Sequence, residues 1–143
     1  MKITPNITFD TNAREAFQTY AAILRAERLD LLTFADMQGA PVGPEWQDKI
    51  AHAWLQIGDQ AIMGSDSPAG VCADGDASNV ASGSVALHFD GIDEARRVFD
   101  ALAEGGKVQM PFAPTDWSPG FGMVRDRFGK GWMVNTNQEP GHE

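Results

Sequence analysis

Cysteine is nearly absent from this chain. Among 143 residues there is one, Cys72, so no intramolecular disulfide can form. A reducing, cytoplasmic setting is the expectation that follows. Basic residues are also few, 11 against 20 acidic ones, for a formal net charge of −9. A surface this acidic repels phosphate backbones and anionic headgroups, which argues against nucleic-acid and membrane partners. No apolar run approaches the roughly 20 residues that span a bilayer. The opening Met1-Lys2-Ile3-Thr4-Pro5-Asn6 has no apolar stretch of the kind a secretory signal needs.

What is present reads as a globular domain, with 43% hydrophobic and 22% charged residues. Residues 3–10 alternate as a strand. Asn12 followed by Glu15 is the spacing of a capping box, and Ala16, Phe17, Tyr20, Ile23 and Leu24 then recur at helical spacing. Residues 29–34 form a short apolar strand, and a Gly- and Pro-rich loop runs from Asp36 to Pro44. Strands over 52–57 and 60–65 flank Gly58-Asp59, a two-residue hairpin signal.

From Asp66 to Ser82 the composition shifts to Ser, Ala, Gly, Asp and Pro, as in a linker. The pattern then restarts. A strand at 84–90 leads into a helix at 93–104 with Ala95, Val98, Phe99 and Leu102 as its buried stripe. Gly105-Gly106 stops that helix, and strands follow at 108–112, 121–125 and 132–135. Phe9-Asp10 and Phe89-Asp90 precede the two helices. An offset of 79 carries Glu15-Ala16 onto Glu94-Ala95, Tyr20 onto Phe99 and Ile23 onto Leu102. Each half therefore reads strand, helix, three strands. The expected fold is α+β, two βαβββ modules with mostly antiparallel curved sheets and one main helix each. Residues 1–66 form the first module, 67–82 the linker and 83–143 the second module.

Strand alternation sorts the chemistry-bearing side chains. With Ala53, Leu55 and Ile57 against the helix, His52, Trp54 and Gln56 lie on the concave side. With Val85, Leu87 and Phe89 against the helix, Ser84, Ala86 and His88 do. In the hairpin strand, Ala61, Met63 and Ser65 share one face. Imidazole, indole and hydroxyl groups together suit a pocket for a small molecule, whose wall is expected to be His52, Trp54, Ser65, His88 and Trp117. Trp117 lies between Pro114 and Pro119, beside a Gly-rich segment. Nucleophilic catalysis has no support: Cys72 has no basic neighbour, and Ser65-Asp66 has no histidine beside it in sequence.

A duplicated βαβββ module is the plan of the vicinal oxygen chelate superfamily, which includes glyoxalase I, the bleomycin-resistance proteins and the extradiol dioxygenases. The run from Asn12 to Phe17 with Tyr20 resembles the first-helix signature of its PhnB-like, "3-demethylubiquinone-9 3-methyltransferase-like" branch. So do Ile57-Gly58-Asp59, Ile62 to Asp66, Gly105-Gly106 with Met110-Pro111, Thr115-Asp116-Trp117, and the stretch from Phe121 through Phe128-Gly129 to Asn135. In metal-dependent members, ligands come from the first and last strand of each module. The resemblance places those positions near Asn6, near Ser84 or Ala86, near Met63 or Ser65, and near Met133. These are poor donors for a divalent ion, so neither a catalytic metal nor another cofactor is expected. A methyltransferase cofactor fold would need a Gly-rich turn between a strand and a helix, and none is present.

Three functions remain open at this point. The first is small-molecule binding without a metal. The second is a lyase, isomerase or dioxygenase-like enzyme with a shifted site using His52, His88 and Asp66. The third is a dimeric scaffold. A homodimer is expected, because a one-helix module leaves one sheet face and its edges uncovered.

Overall fold

The computed structural model describes residues 1–37, 43–67 and 84–136. The chain divides into two compact units, residues 1–77 and 78–143. Most of the expected linker, Cys72 within it, and the middle of the loop from Asp36 to Pro44 lie outside the described residues. Among the described residues, no helix is long and apolar enough to cross a membrane.

The first unit runs β1 (Asn6–Phe9), α1 (Ala13–Leu24), β2 (Arg28–Thr33), β3 (Ile50–Ile57) and β4 (Gln60–Asp66). Its sheet has the order β1-β4-β3-β2, with β1 parallel to β4 and the other pairs antiparallel. The hairpin forms where expected, with Gly58 at φ 62, a left-handed conformation that glycine adopts without strain. α1 lies against β2, β3 and β4. Ala13, Ala16, Phe17 and Tyr20 of its inner stripe are buried, as are Ile50, Ala53 and Leu55 of β3. Phe17 packs edge-on against Phe9 and Tyr20, with centroids 5.8 and 5.7 Å apart.

The capping box at Asn12 does not form: no side-chain bond from Asn12 caps α1. Asp66, the last residue of β4, takes that role. Its Oδ1 accepts from the Ala13 N–H and its Oδ2 from the Ile50 N–H, both at 2.9 Å. A carboxylate at a helix N-terminus is favoured by the helix dipole as well as by the hydrogen bond. One side chain thus ties the start of α1 to the start of β3, and the parallel pairing of Phe9 with Asp66 brings it there.

The second unit repeats the plan with β5 (Ser84–Phe89), α2 (Ile92–Ala103), β6 (Lys107–Ala113), β7 (Phe121–Arg125) and β8 (Gly131–Thr136). Its sheet order is β5-β8-β7-β6, again with the first pair parallel. Ala95, Val98, Phe99 and Leu102 of α2 are buried as the periodicity requires. Gly105 has φ +77, and a Cβ on Gly106 would sit 2.2 Å from the Arg125 carbonyl oxygen, so the helix stop needs both glycines. The core includes Val124, Trp132 and Val134. The Trp132 Nε1–H donates to Asp126 Oδ2 at 2.8 Å. Asp126 Oδ1 accepts from the Phe128 and Lys130 N–H groups, which organises the β7–β8 turn.

Candidate functional site

Each sheet has one face against its helix and one face free of it. The registers specify what stands on the helix-free faces, because residues paired across strands share a side. On the first sheet Trp54 is opposite Met63 and Asp30, and Met63 is opposite Asn6. Ser65 is opposite Thr8, and Leu32 is opposite His52. Ala53 and Leu55 are fully buried while His52 and Trp54 are half-buried, as the alternation of β3 requires. His52 and Trp54 lie as tilted rings with centroids 6.4 Å apart. The Trp54 Nε1–H donates to Gln56 Oε1 at 2.7 Å, and the Gln56 amide donates to the Gly58 carbonyl at 2.8 Å. That chain of bonds fixes the indole plane.

Three of the expected wall residues, His52, Trp54 and Ser65, therefore share one face of the first unit. The other two, His88 and Trp117, belong to the second. His88 stands on the helix-free face of β5, opposite Asn135 of β8. The Asn135 Nδ2 lies 3.3 Å from the His88 Nδ1. Asn135 Oδ1 is buried and has no hydrogen-bond partner.

Trp117 is 61% exposed, yet its position is not loose. The neighbouring Ser118 is buried, and its hydroxyl bonds the Gly120 and Thr136 carbonyls at 2.8 and 2.9 Å. The Thr115 N–H donates to the Ser118 carbonyl, and the Trp117 N–H to Thr115 Oγ1 at 3.3 Å. Those anchors hold the indole edge-on over Phe121, with centroids 5.5 Å apart.

A shifted metal centre of His52, His88 and Asp66 is not what this geometry builds. Asp66 is buried on the helix side of β4, the opposite side from Ser65, and both of its oxygens already hold backbone N–H groups. The ligand positions that the resemblance implies, Asn6, Met63 or Ser65, Ser84 or Ala86, and Met133, lie here on the first and last strands, where Asn6 pairs with Met63, Thr8 with Ser65, Ala86 with Met133 and His88 with Asn135. One imidazole, amides, hydroxyls and thioethers, without a carboxylate, do not fit a hard divalent ion. Among the described residues, no three His, Cys, Asp or Glu side chains cluster as metal ligands would.

Asn135 was not singled out from the sequence. Its partnership with His88 depends on the parallel register of β5 on β8, and no turn of fixed length announces such a register.

Comparison with known proteins agrees with this architecture. The family described as 3-demethylubiquinone-9 3-methyltransferase matches residues 1–135. Protein YjdN of Escherichia coli (strain K12) is 33% identical, over 98% of this chain and 99% of its own. Protein PA1353 of Pseudomonas aeruginosa superposes with a TM-score of 0.84 at 43% identity, covering 97% and 99% of the two chains. The PhnB protein of Bacillus cereus superposes with a TM-score of 0.71 at 22% identity, over 95% and 99%, a likeness of fold.

Proposed function

The chain belongs to the 3-demethylubiquinone-9 3-methyltransferase family, the PhnB-like branch of the glyoxalase superfamily, and we propose that it is a cytoplasmic protein that binds a small molecule without a catalytic metal. The family's descriptive name is not a guide to its chemistry here. Among the described residues no strand enters a helix through a Gly-rich turn of the kind a methyl-donor cofactor needs, since the β5–α2 turn holds the single glycine Gly91, and the donor set of the first and last strands suits a divalent ion poorly.

The observation that carries the reading is Asn135. A buried amide oxygen without a partner costs about 1–3 kcal/mol. It lies next to an imidazole, on the sheet face that also carries Phe121 under the anchored Trp117. A ligand that reaches the Asn135 amide as this side chain turns outward, donating one hydrogen bond to it and stacking on the aromatic pair, would satisfy the orphan. On the first unit, the fixed indole of Trp54 with His52 and Ser65 supplies a second surface of the same character. Apolar burial would give affinity, and the few polar groups orientation. We further propose that the working form is a homodimer.

The test titrates the purified chain with N-phenyl-1-naphthylamine, an uncharged flat probe with one N–H, followed by quenching of tryptophan fluorescence, alongside elemental analysis. Saturable quenching with no stoichiometric metal is the expected result. Asn135→Leu should weaken the probe several-fold, yet leave urea stability unchanged or higher by about 1 kcal/mol, because it removes the orphan polar atom. One tightly held ion per chain whose removal abolishes binding would overturn the reading, as would the absence of saturable quenching.

A further inference from the structure

The two helix-free faces are built on one register but differ in charge. In the first unit the outermost row across the sheet runs Ala61, Gln56, Arg28, and the row above it runs Asn6, Met63, Trp54, Asp30. Arg28 there is neutralised: its Nε lies 2.8 Å from Asp30 Oδ2. In the second unit the matching rows run Ser84, Gly131, Arg125, Lys107 and then Ala86, Met133, Met123, Met110. The place of Asp30 is taken by Met110, and the place of Gln56 by Arg125.

Two consequences follow. Lys107 and Arg125 are directly paired across the strands on one face, a like-charge arrangement that is unfavourable by itself. Among the described residues neither has an ion-pair partner, and Arg125 donates only to the Gly129 carbonyl, at 2.7 Å. Gly131, between Ser84 and Arg125, puts no side chain over the row. Above the cations, three thioethers stand abreast on adjacent strands, Met110, Met123 and Met133. Methionine is the side chain that most readily reshapes around an apolar body. Beyond them come Phe121 with Trp117, and His88 with Asn135. From one end to the other the face is cationic, then thioether, then aromatic and amide.

We infer that the second unit's helix-free face is specific for an apolar small molecule ending in an anionic group, with the body over Met110, Met123 and Met133 and the anion at Lys107 and Arg125. This inference rests on the binding function proposed above and adds the ligand's charge and polarity. In a chain of net charge −9, a two-cation row beside an apolar floor is the local exception that an anionic ligand requires.

The experiment compares N-phenyl-1-naphthylamine with 1-anilinonaphthalene-8-sulfonate, the same ring system bearing a sulfonate, on the full chain. Lys107→Gln and Arg125→Gln should each weaken the sulfonate probe by about ten-fold, the loss of one charge-assisted contact, and move the uncharged probe less than about two-fold. Raising salt should weaken the sulfonate probe alone. Lys107 is exposed and makes no bond the fold needs, so its variant serves even where Arg125→Gln fails to fold. Equal effects on both probes, or none on the sulfonate, would overturn the anion assignment while leaving small-molecule binding intact. Binding of neither probe would overturn both, including the case in which protein covers this face.

Discussion

At the scale of single residues, the duplicated plan hides unequal solutions to the same problem. In the first unit Gly64 leaves its space to Phe17: a Cβ there would sit 2.4 Å from the Phe17 ring. In the second, the register puts Val134 at the matching position, and the 79-residue offset puts Arg96 where Phe17 was. Arg96 turns aside to lie over the Phe112 ring, 5.0 Å from its centroid. Asp66 is the residue with the largest consequences. It is 3% exposed, has no neutralising cation among the described residues and is held by two N–H donors from elements distant in sequence. Replacing it leaves both donors buried and uncaps α1. Asp66→Ala should therefore destabilise the chain by about 3 kcal/mol in urea denaturation, with Asp66→Asn intermediate. A loss below about 1 kcal/mol would mean that water or Asn12 takes over the cap.

At the scale of elements, what was legible in the sequence is what repeats locally. Both helices, their buried stripes and the β3–β4 hairpin follow from spacing of 3.6 and 2 and from one glycine turn. The facing of His52 and Trp54 on β3 follows from the same alternation. The parallel pairs β1–β4 and β5–β8 did not follow, because long crossovers set no register. With them went the Asp66 cap and the His88–Asn135 pair, while the shape of Asn12-x-x-Glu15 pointed to a cap that Asp66 supplies instead. The irregularities of β6 between Val108 and Ala113, a strand on which Val108 and Met110 are both exposed, were likewise invisible. A capping box that sequence reading passed over closes the turn after β2. The Thr33 N–H and hydroxyl donate to Asp36 Oδ2 at 3.0 and 2.9 Å, and the Asp36 N–H donates back to Thr33 Oγ1 at 3.3 Å. These bonds, the backbone one foremost, lower the Asp36 pKa from its ordinary value. A carboxyl lowered on folding stabilises above its unfolded value, and that contribution is lost as pH falls through the folded value. In an NMR titration Asp36 should therefore protonate below the usual aspartate range. Thr33→Val should raise it only partway, because the backbone donor remains. A titration unmoved by Thr33→Val would assign the whole shift to that backbone bond.

For the whole molecule, the sheet edges bear on assembly. Exposed edges invite pairing unless they are short, charged, bulged or interrupted by proline. β1 has four residues. β2 carries Arg28 and Asp30, and β6 carries Pro111 and two register shifts. β5 has none of these defences: Ser84-Val85-Ala86-Leu87-His88-Phe89 pairs with β8 in unbroken register, has no Asp, Glu, Lys, Arg or Pro, and is an edge strand of its sheet. A helix covers only one face of each sheet, so each unit also leaves one sheet face without a helix over it. These are the features from which we expect two copies to associate. Sedimentation at micromolar concentration should give twice the 15.5 kDa chain mass. Hydrogen exchange refines the test, because the β5 amides directed away from β8 have no partner within their own sheet. If β5 is the edge used between copies, those amides should exchange slowly in the dimer and fast once dilution separates the chains. Slow exchange that persists in a 15.5 kDa species would show the edge to be covered within one chain and would remove the reason to expect a dimer.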